Sequence, residues 1–282
     1  MNYRLFRLVA SSLLLAAAAC SSDDEPTPGA SRDNNLALGN PSGAVAKTTS
    51  ATNYLLVKKQ YTLSYNRDQG KPNWVSWHLS SAWLGTAPRQ DDFRADEELP
   101  NSWYQVQASD YVGSGFDRGH NCPSADRTGS VSDNSATFLM SNMMPQAPSN
   151  NQQTWAKLEG YCRTLADAGN ELYIICGSYG RGGTGSNGYA TTLAGGRVTV
   201  PATCWKVVVV LPVGTNDVSR VQRSTRVIAV ALPNSNSLSS SWGSYRTTVD
   251  AIEAATGYDL LSAVPTSVQS ALEAKADTGP TN

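Results

Sequence analysis

Histidine is nearly absent from this chain of 282 residues, in which only His78 and His120 carry an imidazole. Proton transfer near neutral pH most often uses histidine, so these two residues are the first candidates for a catalytic base. His78 lies in the alternating run at residues 74–79, which predicts a strand, and a histidine among tryptophans is usually structural. His120 lies between Gly119 and the turn residues 121–123, so we expect it in a loop. The scarcity of histidine leaves His120 as the candidate general base.

The chain also lacks an excess of charge of either sign. It has 22 Lys and Arg residues against 23 Asp and Glu residues, for a formal net charge of −1. A strongly basic total would indicate a surface that wraps nucleic acid tightly, and that class of protein is disfavoured here. A local basic cleft that contacts few phosphates is compatible with this balance, and binding through it would depend modestly on salt.

Cysteine is scarce, and no two cysteines are separated by two residues. A structural zinc site needs closely spaced thiolates, so the sequence argues against one. Beyond Cys20, an even number of cysteines in an exported protein favours disulfide bonds, and four cysteines allow three pairings. We weakly prefer a bond between Cys176 and Cys204, because both fall in predicted strands. The four cysteines are Cys122, Cys162, Cys176 and Cys204.

The N-terminus has the pattern of an export signal. Arg4 and Arg7 precede an apolar run at residues 8–19, which is too short to span a membrane. Cys20 follows three alanines and resembles the lipidated first residue of a bacterial lipoprotein, which would attach to the outer or plasma membrane. Simple secretion after cleavage nearby is the alternative. We expect residues 1–19 to be removed and the protein to be exported, as a lipoprotein of the cell envelope that could be surface-exposed.

Two regions follow the expected signal. Residues 20–51 are rich in small and polar residues and have almost no large apolar side chains, so they predict a flexible tether. Residues 52–282 are long enough for one domain with a single substantial core.

Strands in this domain are predicted in groups rather than in strict alternation with helices. This order predicts an α+β fold with an antiparallel or mixed central sheet flanked by helices. The strands are expected at residues 54–65, 72–80, 171–176, 197–201, 204–211 and 225–232, and the helices at residues 150–168 and near 244–256.

The densest set of chemical groups lies at residues 113–120, where Gly-Ser-Gly-Phe precedes Asp-Arg-Gly-His. A second polar cluster follows about thirty residues later, at residues 141–159, and contains several amides and a carboxylate. Together the two clusters offer a general base, a phosphate-binding cation and oxygen ligands for a hard metal. These groups suit the hydrolysis of a phosphodiester.

The tetrapeptide Asp117–His120 resembles the Asp-Arg-Gly-His signature of the DNA/RNA non-specific endonucleases, the ββα-metal or His-Me finger family. Asn142 in Ser-Asn-x-x-Pro-Gln, Asn151 nine residues later and Glu159 in Trp-x-x-Leu-Glu fall at the spacing of that family. The similarity covers roughly residues 54–262. It implies a ββα-metal nuclease core and a metal-dependent, sugar-non-specific endonuclease that hydrolyses DNA and RNA and leaves 5′-phosphate ends.

The resemblance implies metal-binding roles as well. Asn151 is expected to be the one direct protein ligand of Mg²⁺, with Mn²⁺ as the alternative cation. Glu159 is expected to hold the ion through a water, because eight helical residues separate it from Asn151 by ~12 Å along the axis. Trp155, between them, is expected to pack in the core.

Four further residues complete the expected site. Arg118 would bind phosphate oxygens through its planar guanidinium. A second guanidinium would come from Arg89 or Arg94, with a mild preference for Arg89. Asn142 is expected to buttress the site by hydrogen bonding, and Asp117 to orient the surroundings of the imidazole or a metal-bound water.

Two other functions remain open from the sequence. The same scaffold could act as a phosphodiesterase of narrower substrate range, or as a catalytically inactive surface-binding lipoprotein. The second is disfavoured because every residue needed for the chemistry is present. Residues 180–185 formally match the Gly-x-Gly-x-x-Gly fingerprint of dinucleotide binding, but a strand rather than a helix is predicted after them, which argues against that reading.

Overall fold

The computed structural model of the chain describes Met1, Arg32 and residues 34–282. The expected export signal and Cys20 lie outside the described residues. No helix of the described part is long and apolar enough to cross a lipid bilayer.

The described chain is built mainly from strands, with a few short helices. The strands are β1 (Tyr54–Val57), β2 (Thr62–Asn66), β3 (Lys71–Leu79), β4 (Asp117–His120), β5 (Met143–Gln146), β6 (Asn170–Tyr179), β7 (Gly183–Gly185), β8 (Gly188–Ala190), β9 (Thr192–Leu193), β10 (Val198–Thr199), β11 (Thr203–Pro212), β12 (Arg226–Pro233) and β13 (Arg246–Thr247). The helices are α1 (Val131–Ala136), α2 (Ala156–Asp167), α3 (Asp217–Arg220), α4 (Val249–Thr256) and α5 (Thr266–Leu272).

One seven-stranded sheet organises the domain, in the order β1-β2-β3-β6-β11-β12-β13. All of its neighbouring strands are antiparallel, which confirms the predicted α+β class and selects the antiparallel form of the sheet. The predicted strand at residues 54–65 is two strands, because a turn at residues 58–61 reverses the chain. The glycine-rich segment after β6 forms the hairpin β7–β8 rather than the start of a helix.

Both faces of the sheet are buried, which explains the continuous apolar run in β11. Successive side chains of a strand point to opposite faces. Val208 packs with Leu158 of α2 in one core cluster, whereas Val207 packs with Leu261 in the cluster on the opposite face. A strand covered on both sides has no polar face, so its sequence does not alternate.

The prediction that residues 20–51 form a flexible tether is wrong for residues 34–51, which pack into the domain. Leu38 and Ala44 are each 2% exposed and belong to the core cluster that contains Val207. The indole Nε1 of Trp74 in β3 donates a hydrogen bond to Ser42 Oγ at 2.8 Å. A few apolar contacts and specific hydrogen bonds therefore fix a segment whose average composition is that of a linker.

The expected disulfide bonds are also corrected, because Cys122, Cys162, Cys176 and Cys204 are all free and buried. Cys176 and Cys204 do lie on neighbouring strands, but Cys204 is opposite Ser178 and Cys176 is opposite Lys206. Such a diagonal offset places Cα atoms about 7–8 Å apart, beyond the usual range for a disulfide. The thiols therefore act as small apolar side chains in the core.

Replacement of Leu38 by Ala tests whether the N-terminal segment is part of the domain. We expect the free energy of unfolding to fall by about 2–5 kcal/mol, because a fully buried leucine leaves a cavity. Urea denaturation would measure the change, with the partly buried Leu36→Ala as the matched control and a smaller loss expected there. If Leu38→Ala changes the free energy of unfolding by no more than about 0.5 kcal/mol, as at an exposed site, this segment is a tether after all.

Candidate active site

The motif strand β4 is paired, which corrects the expectation of a loop at His120. Residues of β4 and β5 form a two-stranded antiparallel ribbon, with Asp117 opposite Gln146 and His120 opposite Met143. A helical segment begins at Asn150, four residues after β5, and continues through α2. Two strands and a helix thus form a ββα unit that contains both polar clusters of the sequence.

Gly119 permits the close approach of the two strands. A Cβ atom at this position would lie 2.6 Å from Gln146 Cβ and 3.1 Å from the carbonyl oxygen of Met144. A larger residue would push β5 away. The glycine of the tetrapeptide is therefore required by packing, and the functional groups come from its neighbours.

Asn142 fixes the chain immediately beyond the motif, as expected of a buttressing residue. Its Oδ1 accepts a hydrogen bond from the Cys122 amide at 3.0 Å, and its Nδ2 donates to the carbonyl oxygens of Cys122 and Thr137, both at 2.9 Å. The side chain is fully buried, so these bonds have no competition from water. Asn142 thereby sets the position at which His120 leaves the ribbon.

The imidazole of His120 lies in an aromatic setting. Its ring centroid is 5.0 Å from that of Phe138 and 5.6 Å from that of Phe93. Its Nε2 is buried and has no hydrogen-bond partner within residues 34–282. Burial, with a further effect of the positive charges on Arg89 and Arg118, lowers the pKa of His120 from 6.5 to about 3. The ring is therefore neutral at physiological pH, in the form that accepts a proton.

Two guanidinium groups line a polar cavity of about 280 Å³. The imidazole of His120 is not among the lining residues, but it contacts Phe93, which is one of them. Arg118 stacks on Phe93 with its Cζ 4.1 Å from the ring centroid, and in the described chain its guanidinium forms no ion pair. It lies on the same face of β4 as His120, because the two are two residues apart on a strand. Arg118 is thus free to bind an anion in the cavity.

Arg89, rather than Arg94, supplies the second guanidinium of the cavity. Arg89 donates to Asp91 at 2.7 Å and to Ser124 Oγ at 2.8 Å, and these bonds hold it over the site. Arg94 is absent from the lining residues of this cavity and instead bonds Asp92 at 2.7 Å. Of the two arginines that the sequence left open, Arg89 lies in the cavity and Arg94 lies outside it, and a contact of Arg89 with phosphate stays a prediction.

Asp117 orients the amide of Asn151. Its Oδ2 accepts hydrogen bonds from Asn151 Nδ2 and Gln152 Nε2, both at 2.8 Å. A carboxylate only accepts, so it selects the amide orientation that directs NH₂ towards it and leaves Asn151 Oδ1 unpaired within residues 34–282. An unpaired amide oxygen in a polar cavity suits a hard divalent cation, and this donor set fits Mg²⁺.

Glu159 is placed apart from the residues that line the cavity. Its Oε1 lies 3.5 Å from Nζ of Lys206, a buried residue of β11, and burial raises the pKa of Glu159 while Lys206 opposes the shift. The first six helical residues, Asn150–Trp155, wind as a π-helix. The separation of ~12 Å expected between Asn151 and Glu159 from an ideal α-helix therefore does not apply.

Trp155 and His78 are structural, as expected. Trp155 is 1% exposed and its ring centroid lies 4.3 Å from Lys206 Nζ. His78 is fully buried, with its Nε2 3.1 Å from Glu171 Oε2. Neither residue lines the cavity.

Sequence reasoning assigned no role to three groups that the structure places in or beneath the site. Gln152 shares the carboxylate of Asp117 with its neighbour Asn151. Phe93 contacts both Arg118 and the imidazole of His120. Lys206 pairs with Glu159, and its signal was a lone lysine in the otherwise apolar run of β11.

The ββα unit and its cavity define the site of a phosphodiester-cleaving enzyme, and comparison with known proteins identifies the family. A sequence profile described as DNA/RNA non-specific endonuclease matches residues 38–267. A protein named nuclease from Nostoc sp. (strain PCC 7120 / SAG 25.82 / UTEX 2576) is 50% identical over 243 residues, which are 86% of each chain. The chain belongs to the family of DNA/RNA non-specific endonucleases and is a nuclease.

Two further proteins show the breadth of this similarity. Nuclease C1 from Cunninghamella echinulata var. echinulata is 36% identical over 169 residues, covering 57% of this chain and 66% of its own. The fold is similar to that of a chain in the crystal structure of the EndoG/EndoGI complex, with a TM-score of 0.66 and 22% identity. That match covers 82% of this chain and 91% of the other, and it supports the ββα-metal nuclease fold.

The pH dependence of kcat/KM tests the surroundings of His120, because it reports ionisations of the free enzyme. The pKa of about 3 is lower than the ordinary value, so activity should fall only well below pH 6.5 as the base becomes protonated. In Arg118→Gln the loss of a positive charge should raise the pKa of His120 and move this acidic limb to higher pH.

Arg94→Gln is the matched control, since Arg94 lies outside the cavity and its replacement should leave the acidic limb of kcat/KM in place.

The lowered pKa of His120 also links protonation to folding. It adds to the free energy of unfolding above pH 6.5, and this addition should be lost as the pH falls towards 3. Circular dichroism at each pH would separate unfolding from protonation of the base. If the acidic limb of kcat/KM in the wild type lies near pH 6.5, the buried, low-pKa environment assigned to His120 is wrong.

Proposed function

We propose that this nuclease hydrolyses DNA and RNA without regard to the sugar, with His120 as general base and Mg²⁺ or Mn²⁺ held by Asn151. The observation that carries the proposal is a cavity lined by Arg118, Arg89 and Asn151, whose wall residue Phe93 also contacts the neutral imidazole of His120. A phosphodiesterase of narrower substrate range on the same scaffold is the alternative, and digestion of both DNA and RNA separates the two.

His120 would begin the reaction by accepting a proton from water. The water oxygen then bonds to phosphorus on the side opposite the 3′-oxygen, and the bond from phosphorus to the 3′-oxygen breaks. The departing 3′-oxygen takes a proton from a solvent water, His120 returns its proton to solvent, and the phosphate stays on the 5′-oxygen. This in-line displacement gives 5′-phosphate and 3′-hydroxyl ends.

Arg118 and Arg89 would hold the scissile phosphate. Arg118 has a free planar guanidinium that can donate two parallel hydrogen bonds to phosphate oxygens. Arg89 keeps one edge towards Asp91 and Ser124, so it is positioned before substrate binds. Phe93, on which Arg118 stacks, limits the number of positions that this guanidinium can take.

Asn151 would supply the direct protein ligand, through the Oδ1 that Asp117 leaves free. A bound divalent cation neutralises the negative charge that develops on the phosphate and on the leaving oxygen. Glu159 would act through water, and the buried Lys206 beneath it keeps its carboxylate in a fixed position.

Export and membrane attachment through a lipid on Cys20 remain part of the proposal. The basic residues Arg4 and Arg7, the apolar run at residues 8–19 and the cysteine that follows support it. Residues 20–31 would then separate the membrane from the folded domain.

Replacement of His120 by Ala should lower kcat about 10²–10⁴-fold on both plasmid DNA and RNA, because water loses its base. Digestion in Mg²⁺, with and without a chelator, would measure the loss. Arg94→Ala is the control, since its side chain lies outside the cavity. Undiminished cleavage by the folded His120→Ala variant would remove His120 from its role as base.

Replacement of Asn151 by Ala should raise the Mg²⁺ concentration needed for half-maximal activity by at least about 10-fold, which even an outer-sphere partner typically causes. Gln152→Ala is a matched control, because Gln152 gives the same hydrogen bond to Asp117 but is not a proposed ligand. Activation by Mg²⁺ that is the same in Asn151→Ala and the wild type would contradict the ligand assignment.

A further inference from the structure

A cluster of three acidic side chains lies far from the catalytic chemistry. Asp250 and Glu253 are in α4, and Glu273 directly follows α5. One carboxylate oxygen from each residue lies within 4.8 Å of the others. Both helices pack on the sheet face opposite α2, because Ile252 and Leu272 belong to the core cluster of that opposite face. The cluster is therefore separate from the active site.

The burial of Glu273 distinguishes this cluster from an ordinary group of acidic side chains on the surface. Its side chain is only 6% exposed, and its Oε1 is buried without a hydrogen-bond partner in the described chain. A carboxylate just beyond the C-terminal end of a helix also meets the negative end of the helix dipole. Removal of a carboxylate from water without a partner is strongly unfavourable.

No cation of the protein compensates this charge in the described residues. None of the ion pairs of residues 34–282 includes Asp250, Glu253 or Glu273. Glu253, Asp250 and Asp259 add further negative charge around Glu273. The surroundings thus concentrate negative charge at one point, where an external cation would be bound favourably.

The backbone holds the cluster in place. The amide of Asp250 donates to the carbonyl oxygen of Glu273 at 3.1 Å, which joins α4 to the end of α5. The Leu260 amide donates to Glu253 Oε1 at 2.7 Å and so fixes that carboxylate. Asp250 is exposed, so one side of the cluster is open to ions and water.

We infer that Asp250, Glu253 and Glu273 form a second divalent-cation site, specific for Ca²⁺, that joins α4 to the C-terminal end of α5. Calcium accepts six to eight oxygen ligands at 2.3–2.6 Å in flexible geometry, so oxygens across the ion are up to about 5 Å apart. Mg²⁺ demands a regular octahedron and is usually held by only one or two carboxylates, with water as the other ligands. Three carboxylates in one cluster, with open access for water at Asp250, therefore favour Ca²⁺.

Thermal unfolding in increasing Ca²⁺ tests this site in the Asn151→Ala protein, in which the proposed catalytic ligand is missing. We expect the unfolding midpoint to rise and saturate, with half of the effect at about 0.1–1 mM Ca²⁺, the range of extracellular calcium modules. When Glu273→Gln is added to the Asn151→Ala protein, the Ca²⁺ concentration that gives half of the rise in unfolding midpoint should increase at least about 10-fold. The exposed Asp250→Asn should act in the same direction and carries little risk to folding.

Asp259→Asn is the matched control, because it removes one negative charge from the same region without removing one of the three ligand oxygens. Its response to Ca²⁺ should match that of the parent. Equal weakening by Asp259→Asn and Glu273→Gln would show general attraction of cations and overturn the site. An unfolding midpoint of the parent that stays constant up to about 10 mM Ca²⁺ would also overturn the site. An equal rise of the midpoint in Mg²⁺ would overturn the preference for Ca²⁺.

Discussion

The active site depends on the antiparallel pairing of β4 with β5. The ribbon places Asp117 opposite Gln146 and His120 opposite Met143, and Gly119 lets the two backbones approach. Asn142 closes the ribbon beyond His120 through buried hydrogen bonds to the backbone. These contacts position a base with no hydrogen bond to its Nε2, because the orientation of the ring comes from the backbone and from aromatic packing.

Local charge, rather than total charge, prepares this site for an anion. The protein is almost neutral overall, yet two guanidinium groups line one small cavity. Burial weakens the competition of water for His120 and keeps the imidazole unprotonated, and the two arginines act in the same direction. The charges that would bind a phosphate therefore also maintain the protonation state that its hydrolysis requires. In the proposed mechanism, one arrangement of Arg89, Arg118 and His120 would serve both binding and catalysis.

Sequence patterns predicted the long elements because each has enough residues to show a period. Strands β3, β6, β11 and β12 and the helix from Asn150 were found within a few residues of their observed bounds. Strand β4 has four residues, mostly polar, and its partner lies over twenty residues away, so no local pattern reveals it. Packing of residues 34–51 and the register that separates Cys176 from Cys204 also depend on distant contacts. Motif spacing predicted the candidate site residues, but the placement of Arg89 in the cavity and the pairing of Glu159 with Lys206 needed three-dimensional structure.

Asp117 connects the two halves of the ββα unit, which explains why its role could not be assigned from the sequence alone. It belongs to β4, yet its carboxylate accepts hydrogen bonds from Asn151 and Gln152 at the start of the helical segment. An acceptor-only group selects one of the two orientations of an amide, and the selected orientation frees the oxygen of Asn151. The wider π-helical turn at Asn150–Trp155 lies at the same place, and such turns recur at functional sites. The strand that positions the base thus also sets the direction of the oxygen proposed to bind the cation, so both halves of the chemistry rest on one pair of strands.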